Sequence, residues 1–308
     1  VKYNTALLKS GNANAVYGGI AAAGTNGDVL HNQATIENGH TGIVYGGYAD
    51  ENGNVKDNIV TVKGGIMTGV EGGHSDGTGE VSGNTVNLGD GTSDMAAGYA
   101  INGTIYGGRN DSHPDKVSNN TLNVNANAVA HNIKNFETIN FNFNAHMNTS
   151  NPLLTLTDSS KTKIKSFDQL HVKNAKVGDG TLIENTNGVE VDNPAAVGRT
   201  ADKTETIIRK HTNGDKIIYR TYQFKDATAA DTDGFSATWG GHSLLGNTTT
   251  NNEFTLTGDH HTHSVYGGWT TKDPAITTTG SAEGHSIANK VTFNGGVSDK
   301  VKEMFGGM

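Results

Sequence analysis

Val44-Tyr45-Gly46-Gly47 is the stretch that decides the fold, because the chain keeps repeating it. The same phrase, an apolar residue, an aromatic and two glycines, recurs as Val16-Tyr17-Gly18-Gly19, Ile105-Tyr106-Gly107-Gly108, Val265-Tyr266-Gly267-Gly268 and Met304-Phe305-Gly306-Gly307. A degenerate copy, Val70-Glu71-Gly72-Gly73, keeps the glycines and loses the aromatic. From position 17 to 106 the copies lie 28, 26 and 35 residues apart, and the last two are separated by 39. A period between about 20 and 50 residues marks a stacked architecture in which each unit touches only its neighbours.

Between these phrases lies a second one, Asn followed by alternating apolar residues. It reads Asn58-Ile59-Val60-Thr61-Val62, Asn84-Thr85-Val86-Asn87-Leu88, Asn120-Thr121-Leu122-Asn123-Val124 and Asn289-Lys290-Val291-Thr292-Phe293. Alternation with period two is the signal of a half-buried strand. Each repeat therefore reads as strand, turn, short strand ending at Tyr-Gly-Gly, then a polar loop such as 50–54 or 111–115. Stacking such units about 4.8 Å apart predicts an all-β parallel β-helix (β-solenoid) of roughly a dozen coils at about 20–28 residues each. The paired glycines are expected at a sharp corner, or where coils approach too closely for a Cβ. Ligand contact by the aromatic row is the less favoured reading.

The composition agrees. Of 308 residues only 33% are hydrophobic and 18% charged, mean hydropathy is −0.49, and the polar bulk is Gly, Thr and 35 Asn. Asn and Gly suit tight turns that need left-handed backbone. There is no cysteine, which leaves the redox compartment open. No run of about 18–20 apolar residues could cross a membrane. The chain starts without Met and stops just after a repeat phrase, which suggests a piece of a longer protein. A net charge of −8 argues against nucleic acid as a partner.

Organisation is expected in three stretches: Tyr-Gly-Gly coils over 1–125, atypical coils over 126–238, and Tyr-Gly-Gly coils again over 239–308. The middle stretch opens with Asn132-Ile133-Lys134-Asn135-Phe136-Glu137-Thr138-Ile139-Asn140-Phe141. It also holds two β-branched runs, 206–210 and 216–220, around Asn213-Gly214, which predicts a protruding β-hairpin or small β insertion near 204–225.

The Asn-x-Val-x-Val strands, the Val/Ile-Tyr-Gly-Gly phrases and the Asn-Phe-Glu-Thr-Ile-Asn-Phe segment together resemble passenger domains of Gram-negative type V autotransporter adhesins. The resemblance covers nearly the whole chain and is specific to an architecture, far less to a ligand. It implies a right-handed β-helix displayed outside the cell, held to the outer membrane by a C-terminal barrel missing from this sequence. It also implies adhesion, self-association or, in some members, proteolysis, and fold alone does not choose among them.

Candidate chemistry is sparse. His260, His261 and His263, with His242 nearby, could supply metal ligands, with Asp259 and Glu253 as the near acids, but a polar strand or loop is the favoured reading. The loops 76–80 and 89–94 carry oxygen ligands without a calcium-binding pattern. No Gly-x-Ser-x-Gly nucleophile elbow occurs. The pairs Asp76 with Glu80 and Asp90 with Asp94 are the only candidates for paired-carboxylate glycan chemistry. The reading adopted is therefore no enzyme, no metal and no cofactor. The preferred binding element is the hairpin. Residues 199–225 carry a net +4, and Arg209, Lys210, Lys216, Tyr219 and Arg220 are the expected contacts for an anionic glycan. The function expected is attachment to host-cell or extracellular-matrix glycans or proteins, or to other bacteria. A self-associating spacer and a β-helical polysaccharide-degrading enzyme are the alternatives.

Overall fold

The computed structural model describes residues 1–232, 237–257, 264–278, 284–294, 303–305 and 307–308. The chain is all-β, and its parallel sheets wind into a β-solenoid of about nine turns rather than a dozen. The count falls because several coils run past 28 residues. By contacts the chain forms two units. The first contains Val1–Ala175, Gly180–Asn193 and His211–Ile217; the second contains Lys176–Asp179, Pro194–Lys210 and Ile218–Met308.

In the first unit, three parallel sheets form the sides. One side stacks Thr5–Leu8, Gln33–Ile36, Ile59–Val62, Thr85–Leu88, Thr121–Val124, Thr138–Asn142 and Leu170–Lys173. A second stacks Val29–Leu30, Val55–Lys56, Val81–Ser82 and Val117–Ser118. The third carries the glycine phrases, including His40–Ala49 and Ile66–Ser75. On the first side each coil pairs in register with the next, as in Ala34↔Val60 and Val60↔Val86. Ala34, Val60, Val86 and Leu122, each at most 1% exposed, make one apolar column, and Ile36, Val62, Leu88 and Val124 a second. The alternation read from the sequence is thus the division between column and solvent.

The asparagine that opens each strand forms a buried ladder. Asn32 Oδ1 accepts from the Asn4 amide N–H at 3.0 Å and from Asn4 Nδ2 at 2.9 Å. Asn58 does the same for Asn32, Asn84 for Asn58, and Asn120 for Asn84. The residue before each of these Asn turns the corner with positive φ: His31, Asp57, Gly83 and Asn119. So the corner lies there, and the paired glycines serve close approach. A Cβ on Gly46 would meet the Gly72 carbonyl oxygen at 2.3 Å, and one on Gly47 the Asn58 Nδ2 at 2.6 Å. The first glycine lets backbones of successive coils touch, and the second makes room for the ladder. Gly18-Gly19, Gly72-Gly73 and Gly107-Gly108 repeat this arrangement. Tyr17 and Tyr45 stack on each other at 4.9 Å, which uses one face of each ring within the protein.

The second unit uses the same rules. Asn252 donates to Asn289 Oδ1 from both its amide N–H and its Nδ2, and Asn251 and Ala288 take the positive-φ corners. Ala237–Ser243 pairs in parallel with Ser264–Thr270, placing Trp239 beside Tyr266 and Gly241 beside Gly268. Thr238-Trp239-Gly240-Gly241 is therefore a further copy of the phrase, with Thr and Trp in the first two places. Gly267 lies beside Gly240, whose Cβ would sit 2.6 Å from the Gly267 carbonyl oxygen. Phe305 stacks on Tyr266 at 5.1 Å, while Gly306 of the last phrase lies outside the described residues. The expected insertion is an antiparallel meander of Ala196–Thr200, Thr204–Lys210 and Lys216–Gln223. Coils over 126–193 continue the parallel pairing of those before them.

Candidate functional site

One coil of the first unit is much shorter than the rest. Asn84 and Asn120 are 36 residues apart, whereas Asn123 and Asn140, partners on adjacent rungs, are separated by only 17. The cause is local. Ala128–Lys134 runs up the third side as in other coils, but no Gly-Gly and loop follow. Instead Asn135 takes a left-handed conformation (φ 60°), its Nδ2 donates to the Gly108 carbonyl at 2.9 Å, and the chain crosses directly to Thr138–Asn142. Phe136 is buried, and Glu137 ends the ladder by accepting the Asn120 N–H on Oε2 at 2.8 Å.

The short coil has no strand on the second side. The next coil restores one, Thr162–Ser166, which pairs with Val189–Asn193. A groove of about 740 Å³ opens between this strand and the direct crossing, a size in the range of small-molecule and oligosaccharide sites. Its charged lining is Lys134, Lys161, Lys163 and Lys165, with the carboxylates Glu190 and Asp192 beside Lys163 and Lys165 on the adjacent strand. Asn135, Gln169 and Ser160 supply polar groups, and the buried Ile133, Phe136 and Ile164 lie beneath them.

The arrangement is rigidly held. Thr162 and Ile164 point inward and are buried, so alternation sends Lys161, Lys163 and Lys165 outward on one face. Thr162 Oγ1 donates to Asn132 Oδ1 at 3.0 Å and accepts from Asn185 Nδ2 at 3.0 Å. Asn132 Nδ2 in turn donates to Asp158 at 2.7 Å. The Ser160 N–H and the Asn132 amide hold the Asp158 carboxyl down at about 2. Gln169 closes the strand's far end: Oε1 accepts from the Lys165 and Ser166 amides, and Nε2 donates to the Phe136 carbonyl at 3.2 Å. Four lysines against two carboxylates leave the walls with a surplus of two positive charges in a chain of net −8. Lys165 lies 3.7 Å from Glu137, and Lys134 rests over the Tyr106 ring at 5.9 Å. Among the described residues, no carboxylate comes within 4.0 Å of Lys161 or Lys163.

The five residues expected to make contact on the hairpin do not form one exposed patch. Tyr219 is 4% exposed, with its hydroxyl pushed up to about 12 by burial and then by Asp179. Arg220 is divided between Asp179 at 3.2 Å and Asp231 at 2.8 Å, and Lys216 faces Glu184 at 3.3 Å. Arg209 is exposed and Lys210 half-buried. Glu205, in the same meander, is buried and accepts from the Ser243 hydroxyl, the Leu244 N–H and Asn247 Nδ2, which makes it an anchor for the 243–247 loop.

The acids weighed for glycan chemistry are separately occupied. Lys56 holds Glu80, Lys63 holds Asp90 at 3.0 Å, and Asp94 faces His146 at 3.3 Å. Asp76 accepts from Tyr48 and from His74 Nε2 at 2.8 Å. Glu71, the residue that replaces the aromatic in the degenerate phrase, is buried between His74 and Arg109. His260, His261, His263 and Asp259 lie outside the described residues, and Glu253 faces Lys290. His242 is buried against Trp239 at 4.5 Å. Among the described residues no three His, Cys, Asp or Glu side chains group as metal ligands.

The alternating Lys161, Lys163 and Lys165 stand together in the sequence, but that Lys134 and the omitted side make a groove beside them depends on contacts between coils. No family model, curated protein or solved structure matches this chain.

Proposed function

We propose that this chain is the passenger-type portion of a bacterial surface adhesin, displayed outside the cell, that attaches to glycans or proteins on host cells, matrix or other bacteria. The observation that carries the reading is the groove, a half-open cleft set on rungs that are hydrogen-bonded to their neighbours. A preorganised site on a stiff support loses little freedom on binding, and repetition of molecules on a cell surface multiplies weak contacts. The site on the hairpin gives way to the groove because the hairpin's aromatic is buried and two of its cations face acids.

Self-association is a second reading with its own support. On the outer face of the seven-stranded side, Thr61, Asn87, Asn123 and Asn140 form an uncharged row hydrogen-bonded from rung to rung, beside a second row of Thr85, Thr121 and Thr138. The test is binding of the purified chain to a panel of glycans and fixed cell surfaces, alongside a Lys161→Ser/Lys163→Ser variant and a variant with 206–220 replaced by a short Gly-Ser turn. Saturable binding lost only in the lysine variant supports adhesion through the groove. Loss only in the turn variant returns the site to the hairpin. Absence of binding combined with concentration-dependent clumping favours self-association.

A further inference from the structure

Resting on the reading of the groove as the binding site, we infer that its ligand is an acidic polysaccharide whose carboxylate or sulfate groups lie along the Lys161, Lys163 and Lys165 row. Same-face residues on a strand are about 7 Å apart, so Lys161, Lys163 and Lys165 leave the backbone at regular intervals over roughly 13 Å, with the Lys165 ammonium 3.7 Å from Glu137. Isolated anions would need one such contact; a linear chain with repeated charges uses all three.

The neighbouring strand, in register on the same face, narrows the chemistry. In the Thr162–Ser166 and Val189–Asn193 pair, Lys163 stands beside Glu190, and the intervening register sets Lys165 beside Asp192. Glu190 and Asp192 are exposed acceptors. They would repel a ligand that is anionic on every edge, such as a nucleic acid or polyphosphate. They suit a ligand with hydroxyl donors on one edge and acid groups on the other, which is the pattern of a uronate- or sulfate-bearing sugar. Asn135, Gln169 and Ser160 add neutral polar groups. Lys161 and Lys163, without carboxylates within 4.0 Å, are the cations most available to a ligand.

The probes are hyaluronan oligosaccharides, which carry carboxylates alone, heparin oligosaccharides, which also carry sulfates, their carboxyl-reduced or desulfated forms, and duplex DNA. The inference expects one of the acidic oligosaccharides to bind, roughly tenfold tighter than its neutralised form, and several-fold weaker when salt rises from about 50 to about 200 mM. Which oligosaccharide binds assigns the acid group. Lys161→Ser/Lys163→Ser, on exposed positions whose loss leaves the circular dichroism unchanged, should reduce that affinity by about tenfold.

Equal binding of acidic and neutralised forms overturns the inference but leaves the groove as an adhesive site, provided the lysine variant still loses cell attachment. DNA binding as tightly as the oligosaccharides also overturns it. No change in the lysine variant, for oligosaccharides or for cells, overturns both the inference and the groove reading.

Discussion

Replacing Asn84 by Ala should be among the most damaging single changes in the first unit. Asn84 is fully buried; its Oδ1 accepts from the Asn58 N–H and from Asn58 Nδ2, both at 3.0 Å. Its Nδ2 donates to the Val55 carbonyl at 3.1 Å and to Asn120 Oδ1 at 3.2 Å. Truncation leaves the Asn58 N–H and one Asn58 amide hydrogen without this acceptor, and takes a donor from Val55. At about 1–3 kcal/mol for each of these three buried groups, the loss comes to about 3–9 kcal/mol. Asn123 is the control. It makes two ladder bonds of the same kind at 2.8 Å, but on the solvent face where water can replace them, so Asn123→Ala should cost no more than about 1 kcal/mol. Coils of a solenoid can open locally, so urea unfolding should be joined by hydrogen exchange at the Asn58 amide. In Asn84→Ala that amide should exchange faster by at least a hundredfold, and in Asn123→Ala it should be unchanged. Equal costs for the two variants would refute the claim that burial makes the inner ladder strong.

Two other perturbations test the same architecture. Gly46→Ala drives a Cβ to 2.3 Å from the Gly72 carbonyl, backbone against backbone, and should cost at least about 3 kcal/mol in chemical unfolding. Gly98→Ala has open space around it but φ of +77°, and should cost only about 1 kcal/mol. The His74 cluster sets a pH dependence. Burial alone would lower its pKa, but hydrogen bonds and charges from Glu71 and Asp76 outweigh burial and raise it. His74 thus contributes stability that is fully present below its ordinary value near 6.5 and is lost as pH rises through the raised one. Asp76 behaves oppositely: burial works against its charged form, but Tyr48, His74 and Arg109 outweigh it, and the lowered pKa gives stability that is lost on acidification. Thermal melts across pH should show the alkaline loss in the parent and not in His74→Gln.

The residues differ in how far they could be read in advance. Asn58-Ile59-Val60-Thr61-Val62 announces its own strand because side chains alternate sides whatever the neighbours are. The role of Gly46-Gly47 was half legible: close approach could be expected, but that the second glycine admits an asparagine from another coil could not. Trp239-Gly240-Gly241 escaped notice because Thr238 and a tryptophan stand where an aliphatic and a tyrosine usually do; spacing of 27 to Tyr266 was the available signal. On the hairpin, Ile217 and Ile218 are both apolar, so the alternation could not say whether Tyr219 or Arg220 faced inward.

Taken alone, the sequence determined the all-β class, the stacked coils and the strands on which they rest, because period-two alternation and a recurring glycine phrase are local properties of the chain. Tertiary structure alone decided that asparagines form the inner ladder, that the hairpin's tyrosine is buried, and that one coil of 17 residues lacks a side. Each depends on which residues of different coils become neighbours, and coil lengths set that register. The groove follows from the same cause: a side omitted in one coil is filled by no residue of its own and is seen only when the next coil stands beside it.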